Sequence, residues 1–325
     1  MSHIADIRQS LAPELESINA LIIQALSSPN PLINEVTRTY LSNKGKQLRP
    51  MMVMLTARML GAGKSAKAVT SAASREMLHN ASLIHDDVID QSSTRHGVET
   101  INSMWNNHIA VLMGDYFVST ALQLVISTSD LRAISTIATL GRLLASGEMD
   151  QIDTASSHVL SEEAYFNIIT NKTASLFVAC VEMGAYAAEA SDTTLEALRE
   201  FARIFGQCFQ IKDDIFDYFP SEVLGKPTGN DLREGKVTLP LLYALGLTEQ
   251  PRCSEMNEMI SKDSLTDEEI SALIAYAVET GGISYAEKRM KSLRDKAAAV
   301  LQTIAPEADT EPLLTLLDYI IERRH

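Results

Sequence analysis

The sequence is poor in the residues that interrupt regular structure or cross-link a small fold. Its 325 residues include 15 glycines, 10 prolines and three cysteines. The cysteines at positions 180, 208 and 253 form no CxxC pair, which excludes a cysteine zinc site and a disulfide framework and indicates a reducing compartment. Because glycine and proline are few, long regular elements are expected rather than a loop-rich fold.

Basic residues are also in deficit. The chain has 28 Lys and Arg against 42 Asp and Glu, a formal net charge of -14. Duplex nucleic acid requires a basic stripe, so a nucleic-acid partner is not expected, and any phosphate ligand must meet a metal ion or a few local cations. No apolar run of signal-peptide length begins the chain, and no segment reaches the roughly 18 uninterrupted apolar residues of a membrane span. We expect a soluble, cytoplasmic protein.

Helical periodicity dominates what is present. Apolar residues recur every three or four positions within 70–89, 196–219 and 285–304. No segment shows the sustained two-residue alternation that is typical of a half-buried strand. No shift in composition and no repeat marks a domain boundary. The sequence therefore predicts an all-α fold in a single domain over residues 1–325.

Two acidic segments, each reading DDxxD, stand out from this helical background. Residues four apart lie on one face of a helix, so Asp86 aligns with Asp90, and Asp213 with Asp217. One such motif would also suit a solvated acidic face, but chance yields a DDxxD only roughly 0.05 times per chain of this composition. Carboxylates packed together on an apolar helix face repel unless a cation intervenes, and oxygen-only ligands suit Mg²⁺. The predicted metal ligands are Asp86, Asp87, Asp90, Asp213, Asp214 and Asp217.

Basic side chains cluster near the two motifs. Any one of them alone is most simply a solvated surface cation. Their position beside the aspartates instead favours a role in binding phosphate. Lys46 and Arg49 lie one helical turn apart, Arg95 follows the first motif, Lys172 precedes Thr173 in a helical stretch, and Lys226 and Lys236 bracket the glycine-rich loop after the second motif.

Five segments together resemble the trans (all-E) polyprenyl diphosphate synthases, in particular the long-chain hexaprenyl and octaprenyl type. They are GKQLRP, MLHNASLIHDDVID, NKTASLF, GQCFQIKDDIFDYF and LGKPTGNDLREGKVTLPLLYAL, in order between residues 44 and 245. The resemblance implies the isoprenoid synthase fold, with antiparallel helices around a central catalytic cavity, and a homodimer. It also implies that the two motifs face each other across the cavity and hold three Mg²⁺ ions on an allylic diphosphate.

The resemblance assigns roles to individual residues. The catalytic set is Asp86, Asp90, Asp213, Lys172 and Lys236. Positions that contact the allylic diphosphate are Arg95, Lys172, Thr173, Gln210, Lys226 and Lys236, and positions that hold isopentenyl diphosphate are Lys46, Arg49 and His79. His96 stands where the family usually has a second arginine that helps to bind isopentenyl diphosphate. A histidine is only partly charged near neutrality, so this role depends on pH.

Small residues precede the first motif. Ala81 and Ser82 lie five and four positions before Asp86, where bulky aromatics in the resembling family stop chain growth. Because a helical turn of about 5.4 Å matches one extended isoprene unit, an open tunnel here predicts a product of roughly six to eight units. The tunnel floor is expected on another helix, around Phe117–Leu122. The alternative is that both residues are small so that two helices can pack closely.

Three other functions are compatible with parts of the pattern. A terpene cyclase shares the fold and one aspartate-rich motif, but it usually lacks the second DDxxD and the GKQLRP-like segment. A non-catalytic subunit of a heteromeric synthase tends to lose aspartates that this chain keeps. A helical scaffold without a ligand explains neither charge cluster. Diphosphate release that requires both isopentenyl and allylic diphosphate would exclude all three.

Overall fold

The computed structural model describes residues 2–42, 45–95, 97–157, 160–220, 228–247, 249, 252–262, 264–304 and 308–323. Almost all of their regular structure is helical. The helices are α1 Ser2–Ser10, α2 Ala12–Ala25, α3 Pro31–Leu41, α4 Leu48–Met59, α5 Ala66–Ile89, α6 Ile101–Met104, α7 Asn107–Ser127, α8 Leu131–Ser157, α9 Glu162–Ile169, α10 Ser175–Ala187, α11 Asp192–Phe216, α12 Asn230–Arg233, α13 Leu239–Leu245, α14 Cys253–Ile260, α15 Asp267–Glu279, α16 Gly282–Leu301 and α17 Glu311–Glu322. A π-helical turn, Thr170–Ala174, joins α9 to α10.

The chain divides into two compact units. The first unit comprises Met1–Arg142, Leu176–Ala202 and Val300–Leu316, and the second comprises Leu143–Ser175, Arg203–Ala299 and Leu317–His325. The expectation of a single domain over the whole chain stays a prediction. Each unit contains one of the two aspartate-rich motifs.

In the first unit, α5 is the central helix, and it packs along α7, α4 and α2. Small residues allow α5 and α7 to approach closely. The buried Ser74 hydroxyl donates a hydrogen bond of 2.7 Å to the carbonyl of Ala121. Farther along, a Cβ added at Gly114 of α7 would lie 2.2 Å from Nε2 of His85. A larger residue at position 114 would therefore require the His85 side chain, which immediately precedes the first motif, to move.

The only strands among the described residues form a minimal hairpin after α5. β1 (Thr94–Arg95) pairs antiparallel with β2 (Val98–Glu99), so that Arg95 is opposite Val98. A two-residue strand is too short to show an alternating pattern, and for this reason periodicity did not predict it. The hairpin fixes the backbone of Arg95 close to the end of α5.

The second unit has a core of its own, between α13, α14 and α15. Its buried side chains include Leu241, Met256, Leu273 and Tyr276. In the same unit, α11 meets the π-helical turn at Gly206, where an added Cβ would lie 2.3 Å from the Cα of Ala174. This close approach fixes the turn against α11.

One described helix, α7, has the length and apolar composition of a membrane span. Only 39% of its most apolar window is buried inside the protein. A core helix of a soluble protein meets the same criteria, so this is weak evidence for a span. Its best-packed face lies against α5.

Candidate active site

The first motif ends α5. Asp86 and Asp87 lie in the last turn of the helix, and Asp90 is its C-cap residue. The three carboxylates differ in exposure: Asp87 is buried, Asp86 is half-buried and Asp90 is exposed. Arg95 donates a hydrogen bond of 2.8 Å from Nε to Oδ1 of Asp87. The structure thus pairs Arg95, predicted to contact the allylic diphosphate, with the middle aspartate of the motif.

The second motif occupies the same kind of position at the end of α11. Asp213 and Asp214 lie in its last turn, and Asp217 follows the final helical residue. A helix C-terminus carries a partial negative charge because its last carbonyl groups lack intrahelical partners. Carboxylates placed there repel both one another and the helix dipole. Both motifs are therefore sites at which a bound cation would stabilise the fold.

Each aspartate of the second motif is held by a different partner. Arg323, just after α17, donates to Oδ1 of Asp213 at 2.6 Å, and its guanidinium lies 4.5 Å from the ring centroid of Phe209. Asp217 accepts hydrogen bonds of 3.0 Å from the backbone N–H groups of residues 230 and 231, at the start of α12. Asp213 is thus paired with a resident cation, while Asp217 anchors the loop after the motif.

Asp214 is buried and is hydrogen-bonded by two neutral donors. The Tyr165 hydroxyl donates to Oδ2 at 2.5 Å, and Gln210 donates from Nε2 to Oδ1 at 2.8 Å. Burial raises the pKa of Asp214 well above its usual value, and the negative charge of Asp231 adds to this shift. The Gln210 amide in turn accepts a hydrogen bond of 2.7 Å from the Thr173 hydroxyl.

The π-helical turn carries Lys172 and Thr173, the two residues predicted from NKTASLF. Such turns often occur at functional sites because they widen the spacing of side chains along a helix. The Lys172 ammonium pairs with Glu148 of α8 and donates to Oε1 of Gln151 at 3.2 Å. One turn of α8 lies so close that a Cβ at Gly147 would be 3.1 Å from the Lys172 backbone nitrogen.

A cavity of about 230 Å³ lies in the second unit, and it brings several predicted residues together. Its polar lining includes Lys172, Thr173, Gln210, Asp214, Asp231 and Lys236. Its apolar lining comes from several elements and includes Leu160, Ile168 and Ile260. Lys236 also pairs with Glu234. The cavity is therefore lined by both charged and apolar side chains, as a site for an amphipathic diphosphate requires.

In the first unit, charged residues are buried around His79. Its ring is 7% exposed, and its pKa lies well below the usual value, first because of burial and then because of the positive charges of Arg49, Arg75 and Arg95. Arg75 is fully buried and donates from Nε and Nη2 to the carbonyl of Leu176. Burial raises the pKa of Glu76 in the same group. This cationic environment suits an anionic ligand.

The segment that bears Lys46 has an unusual backbone. Gly45 and Gln47 both have positive φ, of 53° each, and Gln47 is the N-cap of α4. The Gln47 side chain donates a hydrogen bond of 2.9 Å to Oδ1 of Asn19. Lys46 is exposed, and Arg49 lies with its guanidinium 5.3 Å from the Phe177 ring centroid. Glycine and a tethered glutamine thus shape the turn that presents Lys46.

The predicted residues that remain are placed as follows. Ala81 is fully buried, and Ser82 is half-buried with its hydroxyl donating to the carbonyl of His79 at 2.9 Å. Phe117, near the predicted tunnel floor, is also fully buried. His96 and Lys226 lie outside the described residues.

Some residues of the site were not predicted from the sequence. Tyr165, Glu148 and Arg323 contact predicted residues that are 49, 24 and 110 positions away, respectively. No local pattern signals such contacts. Gly206 offers one signal, since a glycine inside a helical pattern indicates a close approach or a weak point.

The donor set of the aspartates fits a hard divalent ion, because every candidate ligand atom is a carboxylate oxygen. Among the described residues, no three His, Cys, Asp or Glu side chains converge in a metal-binding arrangement. The partners of the aspartates include Arg95, Arg323, Tyr165, Gln210 and backbone N–H groups. Metal binding would therefore exchange some of these contacts.

Comparisons with known proteins identify the family of the chain. Residues 30–277 match the family model described as Polyprenyl synthetase. The chain is 34% identical over 318 residues to the octaprenyl diphosphate synthase of Haemophilus influenzae, covering 98% of this chain and 96% of that protein. A decaprenyl diphosphate synthase from Rhodobacter capsulatus superposes with a TM-score of 0.90 at 33% identity, covering 99% of each chain.

A second solved structure bears on the ligands of the site. A polyprenyl synthase from Caulobacter crescentus, complexed with calcium and isoprenyl diphosphate, has a TM-score of 0.90 at 32% identity and covers 99% of this chain and 98% of that one. The chain belongs to the polyprenyl synthetase family and is a trans-prenyltransferase of the polyprenyl diphosphate synthase class. The predicted all-α isoprenoid synthase fold is confirmed. The family assignment favours the synthase over the terpene cyclase and over a ligand-free scaffold.

Proposed function

We propose that the protein condenses isopentenyl diphosphate with an allylic diphosphate such as farnesyl diphosphate, and repeats the step until the product has roughly six to eight isoprene units, about one per helical turn of open tunnel. The observation that carries this proposal is the pair of DDxxD motifs at the C-terminal ends of α5 and α11. Each motif has cationic side chains within its own unit. Carboxylates that can hold a metal ion, together with nearby cationic side chains, suit a diphosphate leaving group better than any other ligand class.

Mg²⁺ is the proposed metal. Its ligands would come from Asp86, Asp87 and Asp90 in the first unit and from Asp213, Asp214 and Asp217 in the second. Oxygen-only donors and the negative helix ends support this choice. When bound, the ion supplies positive charge that stabilises the diphosphate as the allylic C–O bond breaks.

The cavity of the second unit is the proposed site of the allylic diphosphate. Lys172 and Lys236 supply positive charge, and Thr173 and Gln210 supply hydrogen-bonding groups. Lys226, which lies outside the described residues, is proposed to add a further cation. In this structure Lys172 and Lys236 are paired with Glu148 and Glu234. A diphosphate would share or replace these carboxylate partners.

Isopentenyl diphosphate is proposed to bind in the first unit through Lys46, Arg49 and His79. Because the pKa of His79 is lowered, its ring is neutral near pH 7 and acts as a hydrogen-bonding group rather than as a cation. The positive charge then comes from Arg49 and Lys46, with Arg95 nearby. The fixed geometry orients the double bond of the second substrate for attack, which is a positioning task.

A homodimer is the proposed assembly. Large apolar side chains of the first unit are exposed along α7 and at the start of α8. Leu131 is 81% exposed, Leu112 is 66% exposed and Ile126 is 57% exposed. Exposed apolar side chains along a helix favour an interaction surface, and a second copy of the chain would cover it.

The direct test is incubation with Mg²⁺, farnesyl diphosphate and labelled isopentenyl diphosphate, followed by chromatography of the products. Long-chain product and diphosphate release that depend on both substrates are expected. Diphosphate release from the allylic substrate alone would indicate a cyclase. A protein that is folded yet inactive unless a second polypeptide is added would be a subunit of a heteromeric synthase.

A further inference from the structure

Among the described residues, Tyr165 is the side chain of α9 that hydrogen-bonds to the second motif. It is 7% exposed, and its hydroxyl donates to Asp214 at 2.5 Å. Its helix is firmly placed within the second unit. Glu162, at the start of α9, accepts a hydrogen bond of 2.7 Å from the Tyr285 hydroxyl and pairs with Arg289 at 3.1 Å. The position of the Tyr165 hydroxyl is therefore set by the fold and not by the substrate.

The contact continues through three more side chains to the π-helical turn. Asp214 accepts from Tyr165 on one oxygen and from Gln210 on the other. Gln210 accepts from the Thr173 hydroxyl on its amide oxygen. The amide of Gln210 is thus oriented from both sides, since its oxygen faces a donor and its nitrogen faces a carboxylate. We call this chain, Thr173 to Gln210 to Asp214 to Tyr165, the relay.

The relay leaves Gln210 one further N–H for a ligand in the cavity, which both Gln210 and Thr173 line. If Asp214 loses its second donor, it can turn, and the amide of Gln210 loses the acceptor that orients it. Residues that hold a ligand-contacting side chain in place commonly matter for affinity about as much as the contacting residue itself, with effects of roughly 10- to 100-fold.

We propose that Tyr165 is a positioning residue of the allylic diphosphate site, which acts through Asp214 and Gln210 on the groups that contact the substrate. This inference rests on the proposed function, because it assigns the cavity to the allylic substrate. It predicts an effect on one substrate and not on the other, since the residues proposed for isopentenyl diphosphate belong to the first unit.

The experiment compares Tyr165→Phe with Tyr276→Phe, at saturating Mg²⁺. Tyr276 is a matched control because it is also buried in the second unit, and its hydroxyl donates to the carbonyl of Ala244 at 3.2 Å. Tyr165→Phe is expected to raise the KM for farnesyl diphosphate about tenfold or more. The KM for isopentenyl diphosphate should stay within about twofold of the wild type, since the residues proposed to hold it share no hydrogen bond with the relay. Tyr276→Phe should change neither KM while lowering the melting temperature by a similar amount.

The outcomes separate the two proposals. If Tyr165→Phe has the same KM for farnesyl diphosphate and the same KM for isopentenyl diphosphate as Tyr276→Phe, the role of Tyr165 is overturned. The proposed function is then left intact. A wild-type protein that forms no prenyl product would overturn the proposed function, and the role of Tyr165 with it.

If Tyr165→Phe does not fold, the Gln210→Met variant is used instead to interrupt the relay. The matched control is Gln207→Met, one turn earlier, whose amide donates to Thr170 at 2.9 Å. Unchanged affinity for farnesyl diphosphate in Gln210→Met would overturn the relay.

Discussion

At the scale of single residues, the aspartates of one motif are not equivalent. Asp87 is buried against Arg95, and Asp214 is buried among neutral donors, whereas Asp86 and Asp213 are half-buried at the surface of their units. A buried, partnered carboxylate contributes to the fold as well as to any ligand. Substitution of the half-buried aspartates is therefore the cleaner test of the proposed metal.

Asp86→Ala and Asp213→Ala are expected to lower turnover by roughly 100- to 1,000-fold, because the leaving diphosphate loses an electrostatic contact to the transition state. Steady-state assays with both substrates measure the effect, and melting temperatures establish that the variants fold. Asp115→Ala is a suitable control, because Asp115 is an exposed carboxylate of α7 outside both motifs. Retention of more than about a tenth of the wild-type rate in either variant would contradict the proposed role.

The lowered pKa of His79 predicts how the free energy of unfolding depends on pH. Its folded-state pKa is lowered by burial and by Arg49, Arg75 and Arg95, so unfolding lets the ring take up a proton below about pH 6.5. The free energy of unfolding should therefore fall as the pH falls through this range, by up to about 1.4 kcal/mol per pH unit from this group. Urea denaturation between pH 7.5 and 5.5 measures the slope.

The matched variants for this measurement are His79→Gln and His108→Gln, since His108 is exposed on α7. The slope should flatten in His79→Gln and stay as in the wild type in His108→Gln. Glu76, whose pKa is raised by burial, contributes with the opposite sign in every variant, so the difference between variants isolates His79. Equal slopes in the two variants would mean that His79 protonates as readily in the folded protein as in the unfolded one.

At the scale of elements, the π-helical turn depends on Gly206. Gly206→Ala places a Cβ 2.3 Å from the Cα of Ala174, so the turn that carries Lys172 and Thr173 must move. Overpacking of this kind costs about 1–3 kcal/mol of stability, and a lower rate should accompany it. Gly141→Ala on α8 meets nothing within 4 Å and should instead stabilise the protein by roughly 0.5–1 kcal/mol. Urea denaturation and turnover of both variants measure the effect, and a Gly206→Ala variant as stable and active as the wild type would contradict the role of Gly206.

The long helices can be predicted from the sequence because their buried faces repeat every three or four residues. The predicted boundaries err where local signals conflict. Tyr218 and Phe219 continue the apolar pattern of α11, but the helix ends at Phe216, and Asp217 just beyond it accepts hydrogen bonds from the first backbone N–H groups of α12. The hydrophobic periodicity of the sequence does not predict the π-helical turn either. It is imposed by the packing of Gly206 and Gly147 against it.

The candidate site is predicted only as far as local motifs reach. The two DDxxD segments and NKTASLF locate the aspartates, Lys172 and Thr173 without a structure. Tyr165 and Arg323 are found only in three dimensions, because their contacts with the second motif join distant parts of the chain. The lowered pKa of His79 likewise depends on burial and on three arginines that no motif brings together.

At the scale of the whole molecule, product length tests the tunnel proposed beside α5. Ala81→Phe should shorten the product to about three or four isoprene units, because each blocked turn removes about one addition, and should leave the first condensation intact. Ser82→Phe is a useful companion, since Ser82 shares the face of Asp86 and is half-buried, whereas Ala81 is fully buried. Chromatography of the labelled products measures the length. Products of wild-type length from both variants would support the alternative, in which these residues are small for helix packing.

The proposed homodimer is tested through the apolar surface of α7. Leu112→Glu buries a charge in any interface that covers this helix, and it should shift the protein from dimer to monomer at micromolar concentration. Ile23→Glu on α2 is the control, because Ile23 is 55% exposed, close to the exposure of Leu112, but lies on another helix. Light scattering after size exclusion reports the mass. A dimer that persists in Leu112→Glu would place the interface elsewhere.

Both aspartate-rich motifs lie at helix C-termini, where negative side chains are unfavourable. Their carboxylates therefore lower thermal stability while they serve turnover. Directed evolution for heat resistance alone would enrich replacements such as Asp86→Asn and Asp90→Asn, which remove negative charge from the end of α5 and discard the proposed metal ligands. If the proposed ion binds at these helix ends, divalent salts should stabilise the protein in storage and chelating buffers should destabilise it. A selection scheme that demands prenyl product at every round would instead collect its stabilising changes on surfaces remote from the two motifs.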